Sequence, residues 1–131
     1  MRVTKFLLLI LMASVCLSGH AQKVITANSP DGQTRVNVTL SDRIYYDVMS
    51  SNETLLKQSV IGMQLRDKAL GVNPVLKAKS IHSVNETVTP LFPLKYSQVD
   101  NNYKLLTLKM KGHYAVEFRI YNDRVAFRMK T

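Results

Sequence analysis

Carboxylates are the residues of this sequence that most readily suggest chemistry, because two of them together can act as general acid and base or as acid and nucleophile. The chain of 131 residues contains nine Asp and Glu. Hydrolysis of a glycosidic bond, for example, needs two carboxyl groups about 5–10 Å apart in a cleft. Asp31, Asp42 and Asp123 stand in turn-forming contexts, and Glu117 alternates outward on a predicted strand. We therefore interpret the carboxylates as turn formers and surface charges, and we predict no catalytic residue in the chain.

Metal-ligating and nucleophilic side chains are sparse. Cys16 is the single cysteine and lies in the apolar N-terminal segment, and beyond that segment only His82 and His113 remain. Neither histidine has a neighbouring pattern of acidic or cysteine ligands, so we predict no metal site. The sequence also lacks a glycine-rich phosphate loop and a nucleophile elbow. We expect no cofactor to bind in this segment.

Aromatic rings could form a stacking platform for a sugar. Tyr45, Tyr103 and Tyr121 fall on or near strand faces that alternation predicts to be wet, which makes them the candidates for carbohydrate binding. Aromatic residues in alternating strands more often pack in a core or against a neighbouring strand. Core or cross-strand packing therefore remains the alternative interpretation for all three.

The N terminus has the layout of a secretory signal peptide. Arg2 and Lys5 supply the positive start, an apolar core follows, and Gly19 and Ala21 are the small residues that a signal peptidase reads. We predict a signal-peptide helix within residues 1–21, cleavage after Ala21, and a periplasmic or secreted product, with a Gram-negative bacterium as the expected source. An apolar core of about 12 residues is too short for an uncleaved membrane span, which needs roughly 20, so we expect no stable membrane span once the signal is removed.

The basic character of the chain does not by itself indicate an anionic partner. The formal net charge is +9, and removing Arg2 and Lys5 leaves 9 − 2 = +7. The remaining Lys and Arg residues are spread along the predicted strands rather than gathered in one run. We interpret them as a solvated surface and expect no binding to nucleic acid.

The elements that must position these side chains are short alternating strands separated by turns. Residues 104–110, 114–120 and 125–130 alternate apolar with polar and are separated by Gly112-His113 and by residues 122–124, which predicts an antiparallel meander with one buried face. Residues 24–26, 35–40, 44–49 and 61–65 predict further strands, residues 75–81 a less regular one, and residues 66–73 a loop. The predicted fold class is all-β, an antiparallel β-sandwich over residues 22–131. The sequence stops directly after a predicted strand, so we expect that strand to be an exposed edge.

Four stretches together resemble the N-terminal domain of glycoside hydrolase family 97. They are Ser29-Pro30-Asp31-Gly32 with the strands after it, Ser59–Leu65, Asn85–Phe92 followed by Asn102–Leu106, and Phe118–Arg128. Their order and spacing carry the resemblance over nearly the whole of residues 22–131. The sequence departs from the family pattern at Val88, where the family has Trp, at Pro93, where it has Gly, and at Arg124, where it has Gly. We expect the turn at Arg124 to adopt another type, because a positive φ costs a non-glycine residue roughly 1–2 kcal/mol.

The resemblance implies an incomplete β-super-sandwich of the galactose-mutarotase-like kind, packed in the parent chain on a catalytic (β/α)₈ barrel. It implies that the parent is an α-glucosidase or α-galactosidase, with calcium bound in its barrel. The family's catalytic and calcium-binding carboxylates lie beyond the matched region, so none is assigned to a residue here. We therefore expect a non-catalytic, carbohydrate-associated fragment of an exported hydrolase. The alternative is a free-standing exported β-sandwich module that binds an oligosaccharide or a protein partner.

Overall fold

The computed structural model describes residues 21–92, 95 and 98–131. The predicted signal-peptide helix lies outside the described residues, as does Pro93. Every regular element in the described part of the chain is a β-strand, and all strand pairing is antiparallel. The all-β prediction is confirmed. No helix among these residues has the length and hydropathy that a membrane crossing requires.

The first sheet contains four strands in chain order: β1 (Lys23–Asn28), β2 (Thr34–Leu40), β3 (Ile44–Ser50) and β4 (Glu53–Ile61). A two-stranded sheet of β5 (Met63–Gln64) and β6 (Ala69–Leu70) follows. The prediction of one strand across residues 61–65 is wrong, because Gly62 separates the end of β4 from the start of β5. The loop predicted over residues 66–73 contains β6.

The second sheet contains β7 (Leu76–Val88), β8 (Val99–Met110), β9 (Tyr114–Ile120) and β10 (Val125–Lys130), in the spatial order β10-β9-β8-β7. Its last three strands are the predicted meander. β9 and β10 have the predicted bounds, whereas β8 begins at Val99, before the predicted start at residue 104. β7 continues seven residues beyond Ile81, where sequence alternation suggested an end. The additional residues of β7 belong to the strand because they pair in register with β8, from Ile81↔Leu106 to Val88↔Val99.

Two inward faces make the core. Val36, Val38 and Ile44 of the first sheet and Leu106 and Phe118 of the second have no exposed surface. β1 packs on β8 and β2 packs on β9. Because successive side chains of a strand point to opposite faces, the alternation of these strands selects which residues enter the core.

Turn residues follow the backbone geometry that each connection requires. Ser51 and Asn52 join β3 to β4 with φ of 49° and 68°, the pair of positive values that a tight two-residue hairpin turn needs. Gly71 has φ of 86°, and a Cβ there would lie 2.7 Å from the carbonyl oxygen of Ile61. Arg124 does not have a positive φ, and its carbonyl accepts a hydrogen bond from the Tyr121 N–H at 2.9 Å. The turn therefore differs from one that needs glycine, as expected.

The two sheets are offset. Tyr46 of β3 contacts Phe127 of β10, with ring centroids 5.4 Å apart, so β3 faces the edge strand of the second sheet. β4 lies outside β3 and therefore extends beyond that edge. The inward-facing Phe127 consequently remains 46% exposed and Leu56 of β4 36% exposed. The predicted exposed edge at β10 is confirmed, since β9 is its sole strand partner among the described residues.

Candidate functional site

The outer face of the second sheet brings together two of the three candidate tyrosines. Tyr103 near the start of β8 and Tyr121 just after β9 lie with ring centroids 5.0 Å apart. Arg119 places its guanidinium 5.3 Å from the Tyr103 ring centroid, and Arg124 lies 4.6 Å from that of Tyr121. Tyr103, Arg119 and Tyr121 alternate outward because Leu106, Phe118 and Ile120 point into the core.

Burial separates the two rings. Tyr103 is 6% exposed although it lies on an outer face, whereas Tyr121 is half-buried. Stacking on a sugar needs an accessible ring face, so Tyr121 is the ring that could offer one, and Arg124 already lies over that ring. A ligand stacking there would have to share the ring or displace the guanidinium. A sugar carrying a carboxylate would suit this neighbourhood better than a neutral one.

Tyr45 lies apart from the other two candidates. It sits on β3 and points away from the core, because its neighbours Ile44 and Tyr46 point inward. Its hydroxyl donates to Asp42 Oδ1 at 3.3 Å. Partial burial raises the pKa of Tyr45, and the Asp42 carboxylate adds to that effect. The structure therefore does not bring Tyr45 into one platform with Tyr103 and Tyr121.

Glu117 is the carboxylate with the most unusual environment. It lies on the outer face as alternation predicts, but it is buried, so its interpretation as a surface charge is wrong. Arg128 Nε lies 2.6 Å from Oε2, and Lys130 Nζ lies 3.2 Å from Oε1. Burial alone would raise the pKa of Glu117, but the hydrogen bonds from Arg128 and Lys130 outweigh it and hold the pKa below its ordinary value. A carboxylate held ionised by two cations serves to join β9 to β10 and lacks the character of a proton donor.

The turn carboxylates have structural partners as well. Asp31 accepts the Ser29 hydroxyl at 2.5 Å and the Gln33 N–H at 3.0 Å, and these bonds lower its pKa, the Ser29 bond most. Asp42 accepts the Ser41 hydroxyl at 2.9 Å, which is the main reason for its lowered pKa. Asp123 is exposed beside Arg124, with 4.0 Å between charged atoms. Among the described residues, the hydrogen bonds and ion pairs of these three carboxylates involve no second carboxylate.

Cavities and metal-ligand groups give no stronger candidate. A shallow depression of about 210 Å³ lies beside Glu117 and is lined by Arg119, Phe127 and Arg128. No group of three or more His, Cys, Asp or Glu that could hold a metal ion occurs within residues 21–92, 95 and 98–131. His82 is exposed on β7, and His113 is exposed in the turn between β8 and β9 with φ of 59°.

A cluster of hydrogen bonds joins the first hairpin to the last. The Thr34 hydroxyl donates to the Asn122 carbonyl at 2.8 Å, and the Asp31 N–H donates to Asn122 Oδ1 at 3.1 Å. Ser29 Oγ accepts the Thr34 N–H at 3.0 Å. Two stretches that carry the family resemblance, around Asp31 and around Asn122, therefore meet at one end of the sandwich. Asp31 and Asn122 lie 91 residues apart in the sequence, so the local sequence pattern did not predict this contact.

Comparison with protein-family models identifies the family of this chain. The family model described as Glycosyl-hydrolase 97 N-terminal matches residues 27–131. A retaining alpha-galactosidase from Bacteroides thetaiotaomicron is 37% identical over 129 residues, which is 98% of this chain and 19% of that protein. The chain thus spans about a fifth of the length of this relative.

Solved structures show the same fold. A beta-arabinopyranosidase matches with a TM-score of 0.73 and 22% identity, over 80% of this chain and 18% of that one. A glycoside hydrolase family 97 enzyme from Pseudoalteromonas sp. strain K8, in complex with acarbose, matches with a TM-score of 0.71 and 18% identity, over 80% and 17%. The sandwich, the motifs that meet at Asn122 and the match over residues 27–131 lead to one conclusion: this chain belongs to the N-terminal domain family of glycoside hydrolase family 97.

Proposed function

We propose that residues 22–131 are the front portion of the non-catalytic, carbohydrate-associated N-terminal domain of an exported glycoside hydrolase. The observation that carries the proposal is the 37% identity to a retaining alpha-galactosidase across 98% of the chain. The substrates proposed for the parent enzyme are α-linked galacto- or gluco-oligosaccharides. Acarbose bound to the Pseudoalteromonas enzyme supports an oligosaccharide-like ligand for this family.

The surroundings of the carboxylates support a non-catalytic role for this segment. Asp31 and Asp42 are held by turn hydrogen bonds, and Glu117 is held ionised between Arg128 and Lys130. A glycosidase needs one carboxyl group with a raised pKa to protonate the leaving group, whereas the pKa values of these three are lowered. The bond-breaking carboxylates, and the calcium expected by resemblance, therefore belong in this proposal to the catalytic barrel of the parent chain.

Export to the periplasm or the medium is part of the same proposal. It rests on Arg2, Lys5, the apolar segment and the small residues before the cleavage position at Ala21. N-terminal sequencing of the secreted product should begin at Gln22. A product that retains Met1, or that carries a lipid on Cys16, would contradict this part of the proposal.

Hydrolysis assays on the complete gene product and on residues 22–131 test the main claim. We expect the complete product to release p-nitrophenol from an α-galactoside or an α-glucoside and the isolated segment to release none. Activity in the isolated segment would contradict the non-catalytic role. A complete product that is no longer than this chain and hydrolyses neither substrate would remove the enzyme interpretation and leave the binding module.

The second candidate is a free-standing module that binds carbohydrate, and one observation favours it. Tyr121 retains part of its ring surface in a neighbourhood with Tyr103 and Arg124. Removal of that ring separates the two candidates, because a binding module would lose its affinity for sugar while a structural domain would lose only stability.

A further inference from the structure

Basic side chains from all four strands of the second sheet meet on its outer face. Successive side chains of a strand alternate between faces, so the outward residues of paired strands form rows across the sheet. The cations in these rows are spread over the sequence, and the sheet brings them side by side. We call the group the cationic strip, and it consists of Lys77, Lys109, Arg119, Arg128 and Lys130.

Lys109 and Lys130 flank a depression whose floor is Ala115. Both lysines pair with Ala115, from opposite sides, so their backbones lie about 10 Å apart, which is two inter-strand spacings. The depression has a volume of about 310 Å³ and is also lined by Lys77 and His113, and among the described residues no Asp or Glu lines it. Lys77 and Lys109 make no hydrogen bond or ion pair within the part of the chain that the structure describes. An oxyanion over the Ala115 methyl group would therefore meet donors that no carboxylate occupies.

A second cationic depression lies farther along the same face. It has a volume of about 210 Å³, and Arg119 and Arg128 line it beside Ala126. Glu117 also lines it, but this carboxylate already binds Arg128 and Lys130. Ala115 and Arg119 are four residues apart on β9, so the two depressions are separated by about 13 Å along the strand. The strip thus offers two positions for anions in line.

The excess of positive charge is confined to this face. The strip sets five cations against the single carboxylate of Glu117. On the outward side of β1, β2 and β3, the charged side chains are Arg35 and Asp47, which cancel. Complementary potentials select the partner of a charged surface, so the partner of the strip is an anion.

The side chains between the cations distinguish a carbohydrate from a lipid surface. Proteins that lie on a bilayer combine basic groups with apolar side chains that enter it, whereas small residues such as Ala115 and Ala126 lie between the cations of the strip. At one end, Arg119 rests on Tyr103, and the half-buried Tyr121 ring follows. An aromatic face next to guanidinium groups suits a sugar ring that carries an acidic group.

We propose that the cationic strip binds an acidic oligosaccharide, whose sugars carry carboxylate or sulfate groups. The proposal rests on the proposed function, which associates this exported domain with carbohydrate. It goes further because the substrates proposed for the parent enzyme are neutral. The two depressions hold acidic groups of the oligosaccharide, and Tyr121 contacts a sugar ring at the end of the strip.

Affinity gel electrophoresis of the complete gene product tests the proposal. Polygalacturonate supplies carboxylates, dextran sulfate supplies sulfates, and unmodified dextran is the neutral control. We expect at least one acidic polymer to retard the protein at about physiological ionic strength, where weak long-range attraction is screened, and dextran to have no effect. Retardation by neither acidic polymer would overturn the proposal. Flotation with phosphatidylglycerol vesicles, without binding to either polymer, would overturn it in favour of a lipid surface.

A pair of matched variants locates the site. Lys77→Gln combined with Lys109→Gln should weaken binding about ten-fold or more, because charge-assisted hydrogen bonds to the anion are lost. Lys23→Gln combined with Lys57→Gln makes the same change of charge at exposed positions of β1 and β4 and should weaken binding far less. Equal weakening in the two variants would show attraction to net charge alone and would overturn the proposal. Melting temperatures equal to that of the unsubstituted protein exclude unfolding as the cause.

Filling the first depression gives a readout that is independent of charge. Ala115→Leu keeps every cation but occupies the floor between Lys109 and Lys130, so binding should weaken about as much as in the Lys77 and Lys109 variant. Unchanged affinity would overturn the seat over Ala115. Hydrolysis of a neutral α-galactoside by the complete product is measured separately: hydrolysis without binding of acidic polymers would overturn the strip alone, and binding without hydrolysis would overturn the enzyme interpretation alone.

Discussion

Thr34 donates its hydroxyl hydrogen to the carbonyl oxygen of Asn122 at 2.8 Å, which joins the first hairpin of the sandwich to the last. Thr34 is 3% exposed, so its end of the bond is shielded from water, while Asn122 is exposed. The Asp31 N–H reinforces it through Asn122 Oδ1. Because β2 belongs to the first sheet and Asn122 lies in the β9–β10 turn of the second sheet, this contact closes one end of the core.

Replacement of Thr34 by Val should destabilise the domain. The substitution keeps the shape of the side chain but leaves the Asn122 carbonyl without its donor, which costs about 1–3 kcal/mol. Urea denaturation of residues 22–131 measures the loss. Thr26→Val is the matched control, because Thr26 bonds to Asn37 in an exposed position and its loss should cost about 0.5 kcal/mol or less. Equal losses in the two variants would contradict a closing role for Thr34.

Glu117 should give the domain an acid-sensitive stability. Its pKa is lower in the folded state than the ordinary value of 4.5, so its stabilising effect is present above about pH 4.5 and is lost as the pH falls through the lower folded-state pKa. Glu117→Gln should flatten the decrease of the unfolding free energy below that pH. Thermal denaturation between about pH 3 and pH 7 measures it, and Glu53→Gln on exposed β4 is the control. An unchanged acid profile in Glu117→Gln would exclude the ion pairs as its cause.

The two phenylalanines of the aromatic group should differ in energetic weight. Phe118 is fully buried and Phe127 is 46% exposed, although their rings lie 5.9 Å apart. Phe118→Ala should cost about 3–5 kcal/mol, and Phe127→Ala about half of that, since part of its surface remains in water. Chemical denaturation compares the two. A cost for Phe127→Ala equal to that of Phe118→Ala would show that another segment covers β10.

Substitution of Gly71 and Gly112 by alanine should distinguish a steric clash of the added Cβ from the strain of a positive φ. Both have a positive φ, of 86° and 98°. A Cβ at Gly71 would lie 2.7 Å from the Ile61 carbonyl oxygen, whereas at Gly112 its nearest neighbour is a Tyr114 ring atom at 3.8 Å. Gly112→Ala should cost about 1–2 kcal/mol through strain alone, and Gly71→Ala distinctly more. Melting temperatures that fall equally would contradict the close approach at Gly71.

Sugars should not stabilise residues 22–131 if the segment serves as a structural domain. We expect maltose, galactose and calcium to leave the melting temperature unchanged. A binding module would instead gain about 2.7 kcal/mol at a ligand concentration a hundred times its Kd, which raises the melting temperature by several degrees. If such a rise occurs, Tyr121→Ala should abolish it and Tyr45→Ala should not. Loss through Tyr45→Ala would place the binding site on the first sheet.

Local sequence determined the strands of the C-terminal meander and the tight turns. Alternation places Leu106, Phe118 and Ile120 on one face whatever they pack against, because successive side chains of a strand always point to opposite sides. Gly112 similarly meets a local need for positive φ. The family resemblance could also be recognised from the sequence, since it depends on the order of motifs along the chain.

Tertiary structure alone decided which outward residues are covered and which inward ones are not. Alternation gives Glu117 and Tyr103 an outward direction, but Arg128 and Lys130 on the next strand bury the first, and Tyr121 and Arg119 cover the second. Phe127 points inward yet stays half exposed because the sheets are offset. Burial depends on strand neighbours that lie far apart in sequence, and the period of one strand carries no information about them.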